Sequence, residues 1–153
     1  MPDQSTGQRL AEFSRAVRES TLKRLRLVPP GKENWRVSPA AMSFADTARH
    51  LIECDLKMFR KLETKDRSTM RDNIVIEDLR SRDEYEKMLA ELENLGARRA
   101  EMLANMNEDQ FSEELFDDRF GGMAIAWWMI VRGNLDHEAH HRGQIAAYLR
   151  VVR

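Results

Sequence analysis

Residues 123–152 read MAIAWWMIVRGNLDHEAHHRGQIAAYLRVV, and this stretch carries the strongest signal for the fold class. The pattern predicts a helix from Met123 to about Val152, because its apolar residues gather on one arc of a wheel drawn at roughly 100° per residue. The arc includes Trp127, Ile130, Val131, Ile145, Tyr148 and Leu149. The predicted helix therefore has one face for a protein core and another for solvent.

Three more segments upstream have apolar stripes at helical spacing, over about 5–28, 43–62 and 81–106. Pro29-Pro30-Gly31 ends the first. Capping-box spacings, Ser43 with Asp46 and Ser81 with Glu84, mark the starts of the other two. Four amphipathic helices without a strand-rich region predict an all-α four-helix bundle, as a single domain over residues 1–153.

The two connections 63–80 and 107–122 are long for a bundle, so both are expected to cross over rather than to form tight hairpins. Within the first, Ile74-Val75-Ile76 is expected to pack over the bundle. In the second, a short extended piece is expected near Leu115 to Phe120, and the rest is expected to be a loop.

The composition narrows the class of protein. The net charge of −1 argues against a nucleic-acid partner, and the longest apolar run, 123–131, is too short to span a membrane. The N-terminus has no apolar signal segment, and the single cysteine, Cys54, forms no internal disulfide, so a cytoplasmic location is expected. The basic residues of the first helix are interpreted as a solvated face; they are Arg9, Arg15, Arg18, Lys23, Arg24 and Arg26.

Three of the four histidines lie within five residues, at His137, His140 and His141. By spacing alone, His137 could form a metal-binding pair with either His140 or His141. The wheel favours His141, which shares the edge of the apolar arc with His137, whereas His140 falls outside the arc. Imidazoles four residues apart stack on one helix face and can hold one metal ion.

His50 lies at the flank of the apolar stripe of the second predicted helix and is the natural third ligand. Three neutral imidazoles suit a divalent metal such as Zn, Ni or Fe, with coordination positions left for water or substrate. The site could activate water or a substrate thiolate. Asn134, Glu138 and Gln144 are candidates for contacts around the ligands. Cys54, four residues after His50, could approach the metal, but it is interpreted as a plain buried thiol.

Residues 137–141 also read H-E-x-x-H, the pattern of a zinc peptidase in which the glutamate is the general base. A third ligand and an edge strand for the peptide are not evident nearby, so a peptidase is not favoured. Glu138 points toward the apolar arc and is either a catalytic group or a buried partner of Arg142.

The chain resembles the DinB-like superfamily, which includes the YfiT-like proteins. The resemblance lies in His50 within Ala-Arg-His-Leu and in His137-Glu-Ala-His-His141-Arg-Gly-Gln, and the order of elements matches over nearly the whole chain. It implies a bundle with a long crossover between the second and third helices, and a divalent metal held by His50, His137 and His141. It also implies a homodimer.

Members of this superfamily include thiol S-transferases and metal-dependent hydrolases. The resemblance thus implies an enzyme acting on a small electrophilic molecule, with a low-molecular-weight thiol as co-substrate if it is a transferase. Catalytic roles are assigned to Glu138 and Asn134. The alternative is a non-catalytic, stress-related binding module whose metal site is structural or vestigial.

Overall fold

The computed structural model describes residues 3–153, which are mostly helical. Its elements in chain order are α1 Thr6–Leu25, α2 Phe44–Thr64, α3 Arg82–Asn105, α4 Glu108–Phe111, β1 Glu114–Asp117, β2 Gly122–Ile125, α5 Ala126–Ile130 and α6 His137–Val152. A 3-10 turn, Asp118–Phe120, joins the strands, and a π-helical segment, Val131–Asp136, joins α5 to α6. The predicted all-α fold class is confirmed, with one small hairpin added to it.

Side-chain caps fix where the long helices begin. At α2, Asp46 N donates to Ser43 Oγ over 3.0 Å and Ser43 N donates to Asp46 Oδ2 over 2.9 Å, so the predicted capping box is confirmed. At α3 only half of the predicted box forms. Glu84 N donates to Ser81 Oγ, but the Glu84 carboxylate accepts from Arg80 N instead of Ser81 N.

The first helix ends earlier than its apolar pattern indicates. It was predicted to reach Val28, but α1 stops at Leu25 and a turn follows, in which Val28 N donates to Leu25 O. Val28 precedes Pro29, and the residue before a proline is disfavoured in helical conformation. The helix therefore ends before the prolines themselves.

The start predicted for the fourth helix, Met123, is wrong. Residues 122–125 form β2, which pairs antiparallel with β1, so that Glu114 lies opposite Ile125. Gly121 precedes β2 with a φ of 85°, and Gly122, the first residue of the strand, has a φ of 132°; other residues rarely adopt these backbone conformations. The two glycines thus make a turn into a strand, and the helix begins only at Ala126.

The π-helical segment changes which residues of the fourth helix face the core. A π turn accommodates one extra residue, which rotates the faces on its two sides by roughly 100° relative to each other. Met129 is consequently fully buried although the straight wheel leaves it outside the arc, and Trp127, inside the predicted arc, is only half-buried. Downstream, Ile145 and Leu149 are buried as predicted.

The core lies between α1, α2, α3 and the α5–α6 rod, with α1 packed along α3 and against α6. The connection between α2 and α3, residues 65–81, has no helix or strand, and we call it the linker. Met70 anchors it in the core, but Ile74, Val75 and Ile76 are exposed rather than packed over the bundle. Within residues 3–153, no helix is long and apolar enough to cross a membrane.

Candidate metal centre

Two helices supply the imidazoles of the candidate centre. His50 lies in the middle of α2 and is buried, with an exposed fraction of 4%. His137 and His141 stand one turn apart at the start of α6, directly after the π-helical segment; His141 is buried and His137 half-buried. His140, between them, is exposed. The structure thus brings together the three histidines predicted to bind metal and leaves the fourth outside.

The three Nε2 atoms converge. His137 Nε2 lies 3.2 Å from His50 Nε2 and 3.1 Å from His141 Nε2. Each nitrogen of a neutral imidazole carries either a proton or a lone pair in the ring plane, so one nitrogen cannot donate to one neighbour and accept from another. His137 Nε2 would have to serve both neighbours with its one proton or its one in-plane lone pair, so at most one of the two contacts can be a linear hydrogen bond.

A shared cation fits this arrangement, because all three nitrogens can then direct lone pairs at one point. With metal–nitrogen distances of about 2.0–2.1 Å, two imidazole nitrogens on the same ion lie roughly 3.0–3.4 Å apart. The observed separations of 3.1 and 3.2 Å fall in that range. The donor set and the two measured separations would therefore fit a divalent metal ion.

The surroundings keep the imidazoles neutral, as metal binding requires. Burial lowers the pKa of His50, His137 and His141, and the proximity of another histidine lowers each pKa further. The pKa of His141 falls to about 4. Near neutral pH the cluster therefore presents lone pairs rather than positive charges.

Gln144 fixes the orientation of one of these imidazoles. Its Oε1 lies 2.8 Å from His141 Nδ1, so it can accept the Nδ1 proton and leave the Nε2 lone pair directed at the other imidazoles. The structure thus places Gln144 beside His141, one of the three histidines predicted to bind metal. His50 Nδ1, by contrast, is buried without a hydrogen-bond partner among the described residues.

Two residues beside the imidazoles were not among the predicted ligands, Asp72 and Cys54. Ligand atoms of His50, Cys54, Asp72 and His137 all lie within 4.8 Å of one another. Cys54 is one turn after His50 on α2, and its position was noted in the sequence, whereas Asp72 comes from the linker. Burial and then the Asp72 charge raise the pKa of the Cys54 thiol, so without a metal it stays protonated.

Glu138 and Asn134 face a different part of the molecule. Glu138 is buried against Arg18 and Arg99, with Oε1 2.7 Å from Arg18 Nη2 and 2.8 Å from Arg99 Nη1. Thr21 donates to its other oxygen. The ion-pair partner of Glu138 is therefore not Arg142, and the interpretation of Arg18 as part of a solvated face is wrong.

Asn134 belongs to the same buried cluster of charged groups as Glu138: it accepts from Arg99 and donates to Asp55. Burial alone would raise the pKa of Glu138, but the Arg99 and Arg18 charges hold it at about 2. A carboxylate this acidic, with both oxygens engaged, is poorly suited to accept a proton near neutral pH. The contacts of Glu138 and Asn134 are thus those of groups that hold the helices together behind the histidines.

The chain is similar to known proteins in both sequence and fold. The family model of the DinB superfamily matches residues 14–145. Among solved structures, the chain is similar to YjoA, a DinB-like protein of Bacillus subtilis, with 13% sequence identity and a TM-score of 0.68 over 93% of this chain and 90% of that one. None of the curated proteins matches the chain.

Proposed function

This chain belongs to the DinB superfamily, and we propose that it binds one divalent metal through His50, His137 and His141 and uses it in a reaction on a small electrophilic molecule. The observation that carries the proposal is the convergence of three Nε2 atoms with separations of 3.1 and 3.2 Å. Imidazole donors suit Zn, Ni or Fe.

The chemistry follows from the character of the site. A divalent metal held there would act as a Lewis acid toward a thiol or a water molecule, which supports a thiol S-transferase or a hydrolase. Burial excludes bulk water from His50 and His141, while the half-buried His137 and Asp72 mark the side from which a small molecule can approach. Gln144 holds His141 in the tautomer that binds metal.

One observation favours the second candidate, a non-catalytic binding module with a structural metal. Glu138 and Asn134, the residues assigned catalytic roles from the sequence, are both engaged in the buried ion-pair cluster. The site then depends on the metal alone for its reactivity. A structural centre would raise stability on metal binding without any turnover.

A paired substitution separates these proposals. The metal-loaded protein is offered an electrophile together with glutathione, coenzyme A, bacillithiol or mycothiol, and separately a set of activated esters and amides. We expect turnover that His141→Ala abolishes together with metal binding. The control is His140→Ala, which removes the exposed neighbouring histidine and should keep both properties. Turnover that persists in metal-free His141→Ala would contradict the metal-dependent mechanism, and metal-dependent stability without turnover would favour the binding module.

A further inference from the structure

The linker brings a carboxylate to the histidines. Asp72 Oδ2 lies 3.6 Å from His50 Nε2 and 3.9 Å from His137 Nε2, which are two of the three atoms assigned to the metal. The other oxygen, Oδ1, faces Cys54 Sγ at 3.6 Å and Lys57 Nζ at 3.9 Å. The two oxygens thus have separate surroundings, and one of them faces the candidate metal position.

Backbone contacts hold Asp72 in this place. Lys57 on α2 donates to Arg71 O over 2.8 Å, and Asp118 accepts from Met70 N over 2.9 Å. Farther along, Glu77 N donates to Asp46 over 3.0 Å. The linker is therefore tied down on both sides of Asp72. Segments of more than about 12–15 residues without regular structure are uncommon in compact domains and usually serve a function.

We propose that Asp72 is a fourth metal ligand, so that metal binding ties the linker to the helices that carry the histidines. This inference rests on the proposed metal site. Three neutral imidazoles leave both charges of a divalent ion uncompensated, and a carboxylate offsets one of them. A carboxylate oxygen and an imidazole nitrogen on one ion lie roughly 3.0–3.4 Å apart, so Oδ2 would need to approach by about 0.5 Å.

Cys54 is the competing ligand, and the geometry favours Asp72. Cys54 Sγ lies 3.9 Å from His50 Nε2, but it approaches His137 at Nδ1, 3.7 Å away, and not at the Nε2 atom that meets His50 and His141. Asp72 Oδ2, by contrast, lies within 3.9 Å of the Nε2 atoms of both His50 and His137. The polar hydrogen of Cys54 can instead go to Asp72 Oδ1. Cys54 then supports the orientation of the carboxylate without touching the ion.

The first test is zinc affinity, measured on the metal-free full chain by competition with a chromophoric chelator. We expect Asp72→Asn to weaken binding roughly 10- to 100-fold. Asp72→Glu, which keeps the carboxylate, should recover part of the loss. The matched control is Asp78→Asn, an exposed linker carboxylate that pairs with Arg36 and should bind zinc like the parent.

The second test reads the linker itself. Arg71 is exposed and directly precedes Asp72, so trypsin can cleave between them. Zinc should slow cleavage after Arg71 in the parent protein and in Asp78→Asn, but not in Asp72→Asn. The proteolysis measurement does not depend on enzymatic activity. Comparison of each variant's circular dichroism spectrum with that of the parent protein shows whether the variant is folded.

Several outcomes would overturn the inference. Asp72→Asn with parental zinc affinity and parental protection would do so while leaving the proposed function intact, provided that His141→Ala loses zinc. A cobalt complex whose thiolate charge-transfer absorption disappears in Cys54→Ala would make Cys54 the ligand instead. Absence of zinc binding in the parent protein would overturn the metal site and this inference together.

Discussion

At the scale of single residues, Asp46 shows how one carboxylate can organise the region around α2. Its side chain is fully buried and accepts from the backbone N–H groups of Ser43 and Glu77, so it caps α2 and holds the linker. Arg36 and Arg49 donate to it as well. Burial would raise the pKa of Asp46, but the hydrogen bonds from Glu77, Ser43 and Arg49 outweigh it and lower the pKa.

This lowered pKa gives a pH-dependent prediction. A group whose pKa is lower in the folded state stabilises the protein above its unfolded pKa, about 3.9 for Asp, and loses that contribution as the pH falls through the folded pKa. We expect Asp46→Asn to reduce the free energy of unfolding of the metal-free protein by roughly 1–3 kcal/mol at pH 7. The difference from the parent should shrink below about pH 4.

Urea unfolding at a series of pH values measures this difference. Asp78→Asn is the control, because Asp78 pairs with the same Arg36 from an exposed position and should cost no more than about 1 kcal/mol. A difference between Asp46→Asn and the parent that stays constant down to pH 3 would count against the account of Asp46.

The histidine cluster could be predicted residue by residue, and its neighbours only in part. The four-residue spacing of His137 and His141 and the flanking position of His50 are properties of single helices, so the sequence carries them. Asp72 reaches the site through a linker without regular structure, and no periodicity places its side chain. The position of the Asp72 side chain is instead set by the tertiary contacts of its neighbours Arg71 and Met70.

At the scale of elements, the fourth helix explains the main error of the sequence interpretation. A wheel assumes one constant angle per residue, but the π-helical segment Val131–Asp136 interrupts that regularity. Arg119 stabilises the π-helical segment by donating to the carbonyl of Gly133 over 2.9 Å. Only glycine leaves room for this contact, because a Cβ at position 133 would lie 2.4 Å from the guanidinium. Arg119 lies in the turn of the hairpin, so the sequence of residues 126–152 alone does not indicate this contact.

Helix packing supplies a second prediction, from two glycines inside helices. A Cβ on Gly96 of α3 would lie 2.6 Å from Cγ of Arg18, whose guanidinium is held in the core, whereas a Cβ on Gly143 of α6 would meet nothing within 4 Å. We expect Gly96→Ala to destabilise the protein by roughly 1–3 kcal/mol. Gly143→Ala should stabilise it by up to about 1 kcal/mol through helix propensity.

Both substitutions are measured by chemical unfolding of the metal-free protein. Each gains the same helix propensity, so the opposite signs isolate the contact with Arg18. If Gly96→Ala proves as stable as Gly143→Ala, the close approach of α1 and α3 is not as described.

At the scale of the whole molecule, four buried charges join the four long helices. Arg18 of α1, Asp55 of α2, Arg99 of α3 and Glu138 of α6 form ion pairs of 2.7–3.1 Å and are nearly inaccessible to solvent. Their charges sum to zero. The sequence could not reveal this cluster, because an arginine on a helix is usually solvated and its partners here lie 37 to 120 residues away.

Removing one of the four buried charges should therefore destabilise the folded protein strongly. We expect Arg99→Met to lower the free energy of unfolding by roughly 3–5 kcal/mol, because it leaves the Asp55 and Glu138 charges buried with one cation between them. The control is Arg26→Met, which breaks the exposed Arg26–Glu93 pair and should cost no more than about 1 kcal/mol. Equal costs for the two variants would show that the cluster does not hold the bundle together.

The central claim is that His50, His137 and His141 hold one divalent metal. Elemental analysis of the purified chain from metal-replete cells, followed by titration of the metal-free protein, tests it most directly. We expect close to one equivalent of Zn, Ni or Fe per chain, lost in His50→Ala and His141→Ala and kept in His140→Ala. A folded parent protein that contains no metal and shows no affinity on titration would contradict the claim.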